Sequence, residues 1–118
     1  MSRLIPLPAL ILAVSTTGVS AKTVTALTGR QVFAHTCHTC HARGIAGAPK
    51  FGNRDAWRRH LAKGIKILDE HAIRGYYGYS FMPHKGGDES LSDSEVRAAV
   101  RYMVAAVRSR GRALDPHQ

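Results

Sequence analysis

Cysteine is scarce in this sequence: its 118 residues include only Cys37 and Cys40, which lie three positions apart. A closed zinc site needs two further ligands at similar spacing, and scattered histidines such as His35, His60 or His71 would have to supply them. A thioredoxin-like dithiol requires a strand–helix–strand context, and no strand pattern precedes Cys37. A structural disulfide between such closely spaced cysteines is strained. The sequence contains no third cysteine that could serve another site.

Long hydrophobic runs are also missing, since the apolar stretch at residues 4–14 is shorter than the roughly 20 residues of a membrane-spanning helix. The stretch follows Arg3 and precedes small residues that end in Val19-Ser20-Ala21. This order is typical of a secretory signal peptide. We therefore predict a cleaved signal peptide at residues 1–21 and one exported domain at residues 22–118, which is 118 − 21 = 97 residues. An uncleaved membrane anchor is the alternative.

Acidic residues are few: eight Asp and Glu stand against 17 Lys and Arg, a formal net charge of +9. Nucleic-acid binding would call for a basic stripe or a recognised binding fold, and an exported protein rarely meets nucleic acid, so we predict no such partner. A positive face can steer a protein toward an acidic partner or into peripheral contact with an anionic membrane surface. A surface that is simply well solvated is the alternative.

The segment Cys37-His38-Thr39-Cys40-His41 is the most informative feature that is present. Residues i and i+3 of a helical turn face the same side. Both thiols can therefore add to the two vinyl groups of one porphyrin. His41 can then turn its imidazole toward the iron as the proximal ligand. The motif predicts one covalently attached haem c.

The residues before this motif predict a helix that runs into it. Thr28 and Gln31 have the spacing of a capping box, and Leu27 and Val32 have that of a hydrophobic staple. Glycine disfavours a helix interior, so Gly29 suggests the close approach of another helix. Gly29, Phe33 and Cys37 recur every four residues and are expected to share one face.

A second capping box, Ser92 with Glu95, predicts a C-terminal helix that ends at Gly111. Its apolar stripe consists of Val96, Val100, Met103, Val104 and Val107. Tyr102 lies near the middle of this helix. The helix that presents Gly29 and Phe33 could cross it there at right angles. Ordinary core packing explains Met103, to which we assign no cofactor role.

The middle of the chain predicts two short helices and an aromatic loop. The first helix begins at Asn53 or Asp55 and ends near Gly64, and the second spans about residues 68–74. No alternating strand pattern is present, so the expected fold class is all-α. The glycine-punctuated loop that follows is expected to pack on a large flat group, since it contains Tyr76, Tyr77, Tyr79 and Phe81.

Met82, 41 residues after His41, is predicted to be the second axial ligand. Electron-transfer cytochromes pair a histidine with a methionine at the iron, and the following Pro83 keeps the backbone extended. A core methionine is one alternative. Bis-histidine ligation by His84, His71 or His60 is another.

Together these segments resemble the bacterial class I c-type cytochromes, in particular the short c-five-type group. The resemblance covers about residues 27–107 and rests on Gly29-x-x-x-Phe33-x-x-x-Cys37-x-x-Cys40-His41, Gly44-Ile45-Ala46-Gly47-Ala48-Pro49-Lys50-Phe51-Gly52, Trp57, Met82-Pro83-x-Lys85-Gly86-Gly87, Leu91-Ser92-Asp93 and Tyr102-Met103.

The resemblance implies a class I cytochrome c fold, in which the N- and C-terminal helices cross beside one covalently bound haem. It implies that the Pro49 carbonyl accepts the ring N–H of His41, and that Trp57 packs near the haem edge and propionates. Some c-five-type members have an extra cysteine pair after the methionine loop, where this chain has Asp88-Glu89-Ser90. That loop must therefore be held without a disulfide.

The predicted function is single-electron transfer in the periplasm, with His41 and Met82 bound to iron and no enzymatic activity. The expected partners are redox proteins with an acidic docking face, and the expected assembly is a monomer or weak dimer. One alternative is a haem subunit bound permanently to a periplasmic oxidoreductase complex. The other is a gas-binding haem sensor, which would need Met82 to be free or easily displaced.

Overall fold

The computed structural model describes residues 1–5, 9, 11–15, 17–21 and 23–113. No described residue before Gly29 belongs to a helix or strand. Within these ranges, no helix is both long enough and apolar enough to cross a membrane. Parts of the predicted signal peptide, the residue after its cleavage point and the last five residues of the predicted domain lie outside the described residues. Both boundaries therefore stay predictions.

The N-terminal helix, α1, consists of three consecutive segments, Gly29–Val32, the π-helical Phe33–Cys37, and His38–His41. Its capping box is confirmed: Thr28 Oγ1 accepts a 3.3 Å hydrogen bond from the Gln31 amide, and Gln31 Oε1 accepts a 2.9 Å bond from the Thr28 amide. The π-helical turn was not predicted. It widens the helix up to and including Cys37, the first residue of the cysteine motif. Single π-helical turns often occur at functional sites.

The C-terminal helix, which we call α4, spans Asp93–Ala113. Its predicted capping box is also present, since Ser92 Oγ accepts from the Glu95 amide at 3.2 Å. All five residues of the predicted apolar stripe are buried, from Val96 to Val107. The predicted stop at Gly111 is wrong, because the helix continues to Ala113. Glycine costs only about 1 kcal/mol in a helix interior, which does not end a helix by itself.

Helices α1 and α4 make close backbone contact at Gly29. A Cβ atom on Gly29 would collide with the main-chain carbonyl of Ala98. One turn further along, the Phe33 ring lies 5.5 Å from Tyr102 and 4.6 Å from Phe51. The predicted meeting of the two helices is therefore confirmed, and its close approach depends on the missing side chain at Gly29.

Two further helices lie between them. Helix α2 spans Arg54–Leu61 and is capped by Asn53, one of the two predicted starts, whose Oδ1 accepts from the Ala56 amide at 3.0 Å. It ends three residues before the predicted Gly64. Helix α3 spans Ile65–Arg74, three residues longer at its start than predicted. The sequence contains no side-chain cap at Gly64 to mark that start.

A small antiparallel hairpin follows α3, formed by β1, Tyr76–Tyr77, and β2, Phe81–Met82. It corrects the expectation of a chain without strands, although the fold class remains all-α. Two paired residues on each side are too few to produce a visible alternating pattern in the sequence. The hairpin matters because it fixes Met82 opposite Tyr76.

Candidate functional site

A deep cleft lies between α1, the loop after it, α2, α3 and the hairpin. Its free space is about 1060 Å³ when the open mouth is included. Sites that bind small molecules and cofactors are usually lined mainly by apolar side chains, as this cleft is. Of the residues that line this cleft, six come from the predicted site: Cys37, Cys40, His41, Pro49, Trp57 and Met82.

The two cysteines lie three positions apart near the end of α1, where the π-helical segment gives way to an ordinary α-helical turn. Both thiols are free and partly buried. Burial raises the pKa of the Cys37 thiol to about 11, so this thiol stays protonated at neutral pH. The pair lines one wall of the cleft.

His41 is buried at the base of the same wall, with 8% of its surface exposed. Its Nδ1 lies 3.0 Å from the Pro49 carbonyl oxygen, which can only accept, so Nδ1 carries the proton. Burial lowers the pKa of His41, against the opposing effect of the Pro49 carbonyl. The imidazole is therefore neutral, its tautomer is set, and Nε2 keeps a lone pair that can bind a metal.

Trp57 supports the back of the His41 ring. It is 4% exposed, and its ring is stacked on the imidazole with centroids 6.0 Å apart. Its Nε1 donates a 3.0 Å hydrogen bond to the Lys50 carbonyl, next to Pro49 in the chain. Trp57 therefore links α2 to the segment that orients His41.

Met82 lies in the hairpin and lines the same cleft as His41 and both cysteines. The backbone of Pro83 is extended, as predicted, with φ −66° and ψ 153°. Lys85 then adopts a left-handed conformation with φ 52°. From there its Nζ donates to the Leu91 carbonyl at 2.7 Å and lies 3.3 Å from an Asp93 carboxylate oxygen.

Polar contacts hold the loop after Met82, which contains Asp88-Glu89-Ser90. Thr36 Oγ1 donates to Asp88 Oδ2 at 3.2 Å, which ties the loop to α1 directly before Cys37. His84 Nε2 lies 2.8 Å from Glu89 Oε1. Sequence analysis missed the contact between Thr36 and Asp88, because the two residues are 52 positions apart in the chain.

The three histidines considered as alternative axial ligands differ in position. His60 and His71 line the cleft, whereas His84 is exposed, pairs with Glu89 and does not line it. Met103 is 4% exposed and also lines the cleft, from α4. The cleft thus offers two thiols, the neutral His41 imidazole and the Met82 thioether, together with His60, His71 and Met103. Two thiols beside an imidazole in an apolar cleft fit one covalently bound haem. The described residues contain no cluster of three or more His, Cys, Asp or Glu that could hold a bare metal ion.

Comparison with known proteins agrees with this chemistry. The family model described as cytochrome C oxidase, cbb3-type, subunit III matches residues 24–103. Cytochrome c-555 of Chlorobaculum thiosulfatiphilum is 42% identical over 80 residues, which cover 67% of this chain and 93% of the relative. Cytochrome c5 of Azotobacter vinelandii is 39% identical over 79 residues, which cover 66% of this chain and 93% of the relative.

Solved structures show the same fold. A chain from the electron transfer complex of nitrite reductase with cytochrome c superposes with a TM-score of 0.61 and 38% identity, covering 68% of this chain and 94% of that one. A mono-heme ferrocytochrome c from Shewanella putrefaciens superposes with a TM-score of 0.56 and 30% identity, covering 68% of this chain and 95% of that one.

The fold and the cleft define an all-α electron carrier of the class I cytochrome c type. The chain belongs to the monohaem class I c-type cytochromes, and its cofactor is one covalently bound haem c with its iron.

Proposed function

We propose that this protein is a periplasmic one-electron carrier whose haem is attached through Cys37 and Cys40 and ligated by His41 and Met82. The observation that carries the proposal is the convergence of these four side chains on one cleft, from α1 and from the hairpin. Their sequence separation, up to 45 positions from Cys37 to Met82, makes chance convergence a poor explanation.

Each residue has a defined role in this proposal. When bound, the haem supplies an iron that gains and loses one electron. Cys37 and Cys40 anchor the group, and His41 presents Nε2 because Pro49 engages its Nδ1. The soft thioether of Met82 favours ferrous iron and raises the reduction potential relative to bis-histidine ligation. Trp57 holds the His41 ring in place.

We further propose that residues 1–21 are a signal peptide and that residues 22–118 form the mature periplasmic domain, which is not an enzyme. The order of charged, apolar and small residues at the N-terminus supports export. Redox proteins are the proposed partners. A relative seen in complex with nitrite reductase supports this class, and the excess of basic residues supports an acidic docking face on the partner. We propose a monomer or weak dimer, without nucleic-acid binding.

Absorbance spectra of the exported protein, oxidised and reduced, with and without carbon monoxide, test the ligand assignment. We expect a weak near-infrared iron–thioether band in the oxidised protein and no response to carbon monoxide. Met82→Ala should abolish that band, open the iron to carbon monoxide and lower the reduction potential. Met103→Leu, at the other methionine of the cleft, should leave the band, the lack of response to carbon monoxide and the potential unchanged. Rapid carbon monoxide binding by the unaltered protein would instead support a gas sensor.

A haem subunit bound permanently to a periplasmic oxidoreductase complex is the second candidate function, because the matching family model takes its description from an oxidase subunit. Mild solubilisation of membranes from the native host followed by affinity purification separates the two. A carrier should be recovered alone from the soluble periplasmic fraction. A subunit should be recovered in stable proportion with larger haem-containing chains.

A further inference from the structure

An exposed aromatic pair lies on the hairpin beside the mouth of the cleft. Tyr77 and Phe81 are direct cross-strand partners with ring centroids 5.2 Å apart. Side chains of such partners point to the same face. Tyr77 is 80% exposed and Phe81 57% exposed, although Phe81 also contributes to the lining of the cleft. The two rings thus form a small apolar surface next to the cofactor site.

Cations are held against the same hairpin. The Arg59 guanidinium lies 4.5 Å from the centre of the Tyr79 ring, and Lys63 Nζ lies 5.0 Å from that of Tyr76. The Tyr79 hydroxyl is 2.6 Å from His60 Nε2. Burial, followed by the charges of Lys63 and Arg59, lowers the pKa of His60, which favours the neutral ring.

The charges of Arg59 and Lys63 are not compensated locally. Neither forms an ion pair with a carboxylate that the structure describes. Residues 56–87 contain six Lys or Arg against two carboxylates, Asp69 and Glu70, and Asp69 pairs with Arg101 on α4. The hairpin therefore carries an exposed apolar pair, and two cations without an ion-pair partner lie against its tyrosines.

We propose that Tyr77, Phe81, Arg59 and Lys63, together called the hairpin face, form the docking surface for an acidic redox protein. This inference rests on the proposed electron-transfer function and adds the place where the partner binds. Small contact areas are typical of short-lived redox complexes. Positive charge beside the apolar pair would steer an acidic partner to the mouth of the cleft.

A protein partner is favoured over an anionic membrane. Membrane-surface binding scales with buried apolar area, and the hairpin face offers only two apolar side chains. The two cations are also stacked on tyrosine rings at defined positions, an arrangement that suits a partner with carboxylates at fixed places better than a fluid layer of headgroups.

The test uses the haem-loaded exported protein and a flavodoxin, a small acidic one-electron carrier. Arg59→Gln combined with Lys63→Gln should lower the bimolecular rate of electron transfer between the two proteins, and their affinity, by about 10-fold at low ionic strength. This difference should shrink as salt is added. Tyr77→Ser should lower both by about 3-fold at every ionic strength, because it removes apolar contact. Phe81→Ser is a second variant of the apolar pair.

The matched control for charge is Arg30→Gln combined with Arg97→Gln, which removes two cations beside the contact between α1 and α4. Ile67→Ser, on an exposed apolar residue of α3, is the control for the aromatic variants. Controls should stay within about 2-fold of the unaltered protein. Midpoint potentials and the near-infrared band are measured first, so that rates are compared at equal driving force. Reduction by hydroquinone should be equal in all variants.

Equal losses in the charge control and the hairpin variants would overturn the docking surface, because net charge would then explain the rates. Binding to phosphatidylglycerol vesicles that depends on the hairpin face, with unchanged rates toward flavodoxin, would also overturn it and indicate a membrane surface. Failure of the proposed function looks different: the unaltered protein would lack the iron–thioether band or fail to exchange electrons with any protein.

Discussion

Glu95 Oε1 accepts a 2.8 Å hydrogen bond from the backbone amide of Leu27, 68 positions earlier in the chain. Its Oε2 accepts from the amide and the hydroxyl of Ser92, both at 2.9 Å. One carboxylate thus caps α4 and also joins it to the residue before the cap of α1. The two capping boxes that the sequence predicts separately are connected in space.

This connection predicts acid-dependent stability. The hydrogen bonds from Leu27 and Ser92 hold the pKa of Glu95 below its usual value near 4.5. A carboxyl with a lowered folded-state pKa stabilises the fold above its unfolded value, and the contribution is lost as the pH falls through the folded value. Glu95→Gln should therefore lower the melting temperature by a few degrees at pH 7, and the difference should shrink below pH 4.5.

Glu70→Gln, an exposed change on α3, is the control and should follow the unaltered protein. Thermal unfolding of the haem-loaded proteins between neutral and acid pH supplies the measurement. A constant difference between Glu95→Gln and the unaltered protein at every pH would show that the carboxylate charge is not what joins the two helices.

Gly29→Ala tests the contact between α1 and α4. The new methyl group would overlap the Ala98 carbonyl, a backbone atom that cannot move without shifting α4. Overpacking of this kind typically costs about 1–3 kcal/mol. Arg30→Ala, at the next and exposed position of the same helix, should change stability by less than about 0.5 kcal/mol. Denaturant unfolding compares them, and equal stabilities would mean that the two helices are not in close contact.

Lys85→Met tests how the loop after Met82 is held. The substitution keeps the length of the side chain but removes the donor to the Leu91 carbonyl and the ion pair with Asp93. Loss of such a partly buried contact should cost about 1–2 kcal/mol. We expect the iron–thioether band to disappear at a lower temperature than in the unaltered protein, because the loop loosens before the helices unfold.

Lys66→Met, at an exposed position of α3, is the control for the lost charge. If the band of Lys85→Met and that of Lys66→Met disappear at the same temperature, Lys85 does not help to position Met82. Global unfolding, followed separately by helix content, shows whether the loop or the whole fold responds.

Intact mass tests the predicted export signal. A polypeptide of 97 residues plus one haem in the periplasmic fraction is expected if cleavage follows Ala21. Changing Ala21 to a bulky residue should block cleavage there, since the site requires small side chains. Recovery of the full 118-residue chain in membranes would support the uncleaved anchor instead.

Much of the fold was predictable because its signals are local. Both capping boxes, the start of α2 at Asn53 and the buried stripe of α4 follow from side chains that contact their own helix or share one face of it. The proximity of Gly29 to α4 was predictable for a related reason, since a helix rarely tolerates glycine without a packing need. The start of α3 lacked a capping signal and was placed three residues too late.

The candidate site also has some features that the sequence predicts and others that it does not. Cys37, Cys40 and His41 lie within five consecutive residues, so their spacing alone indicates covalent haem. The proline that follows Met82 supported its prediction as the second axial ligand. The π-helical turn before Cys37, the two-residue strands around Met82 and the bond from Thr36 to Asp88 had no sequence signal. Each depends on which distant segment packs alongside, and a chain pattern records only the neighbours of a residue in sequence. Sequence neighbours alone therefore indicate the chemistry of the site, whereas only the folded chain shows that Met82 lines the same cleft as His41.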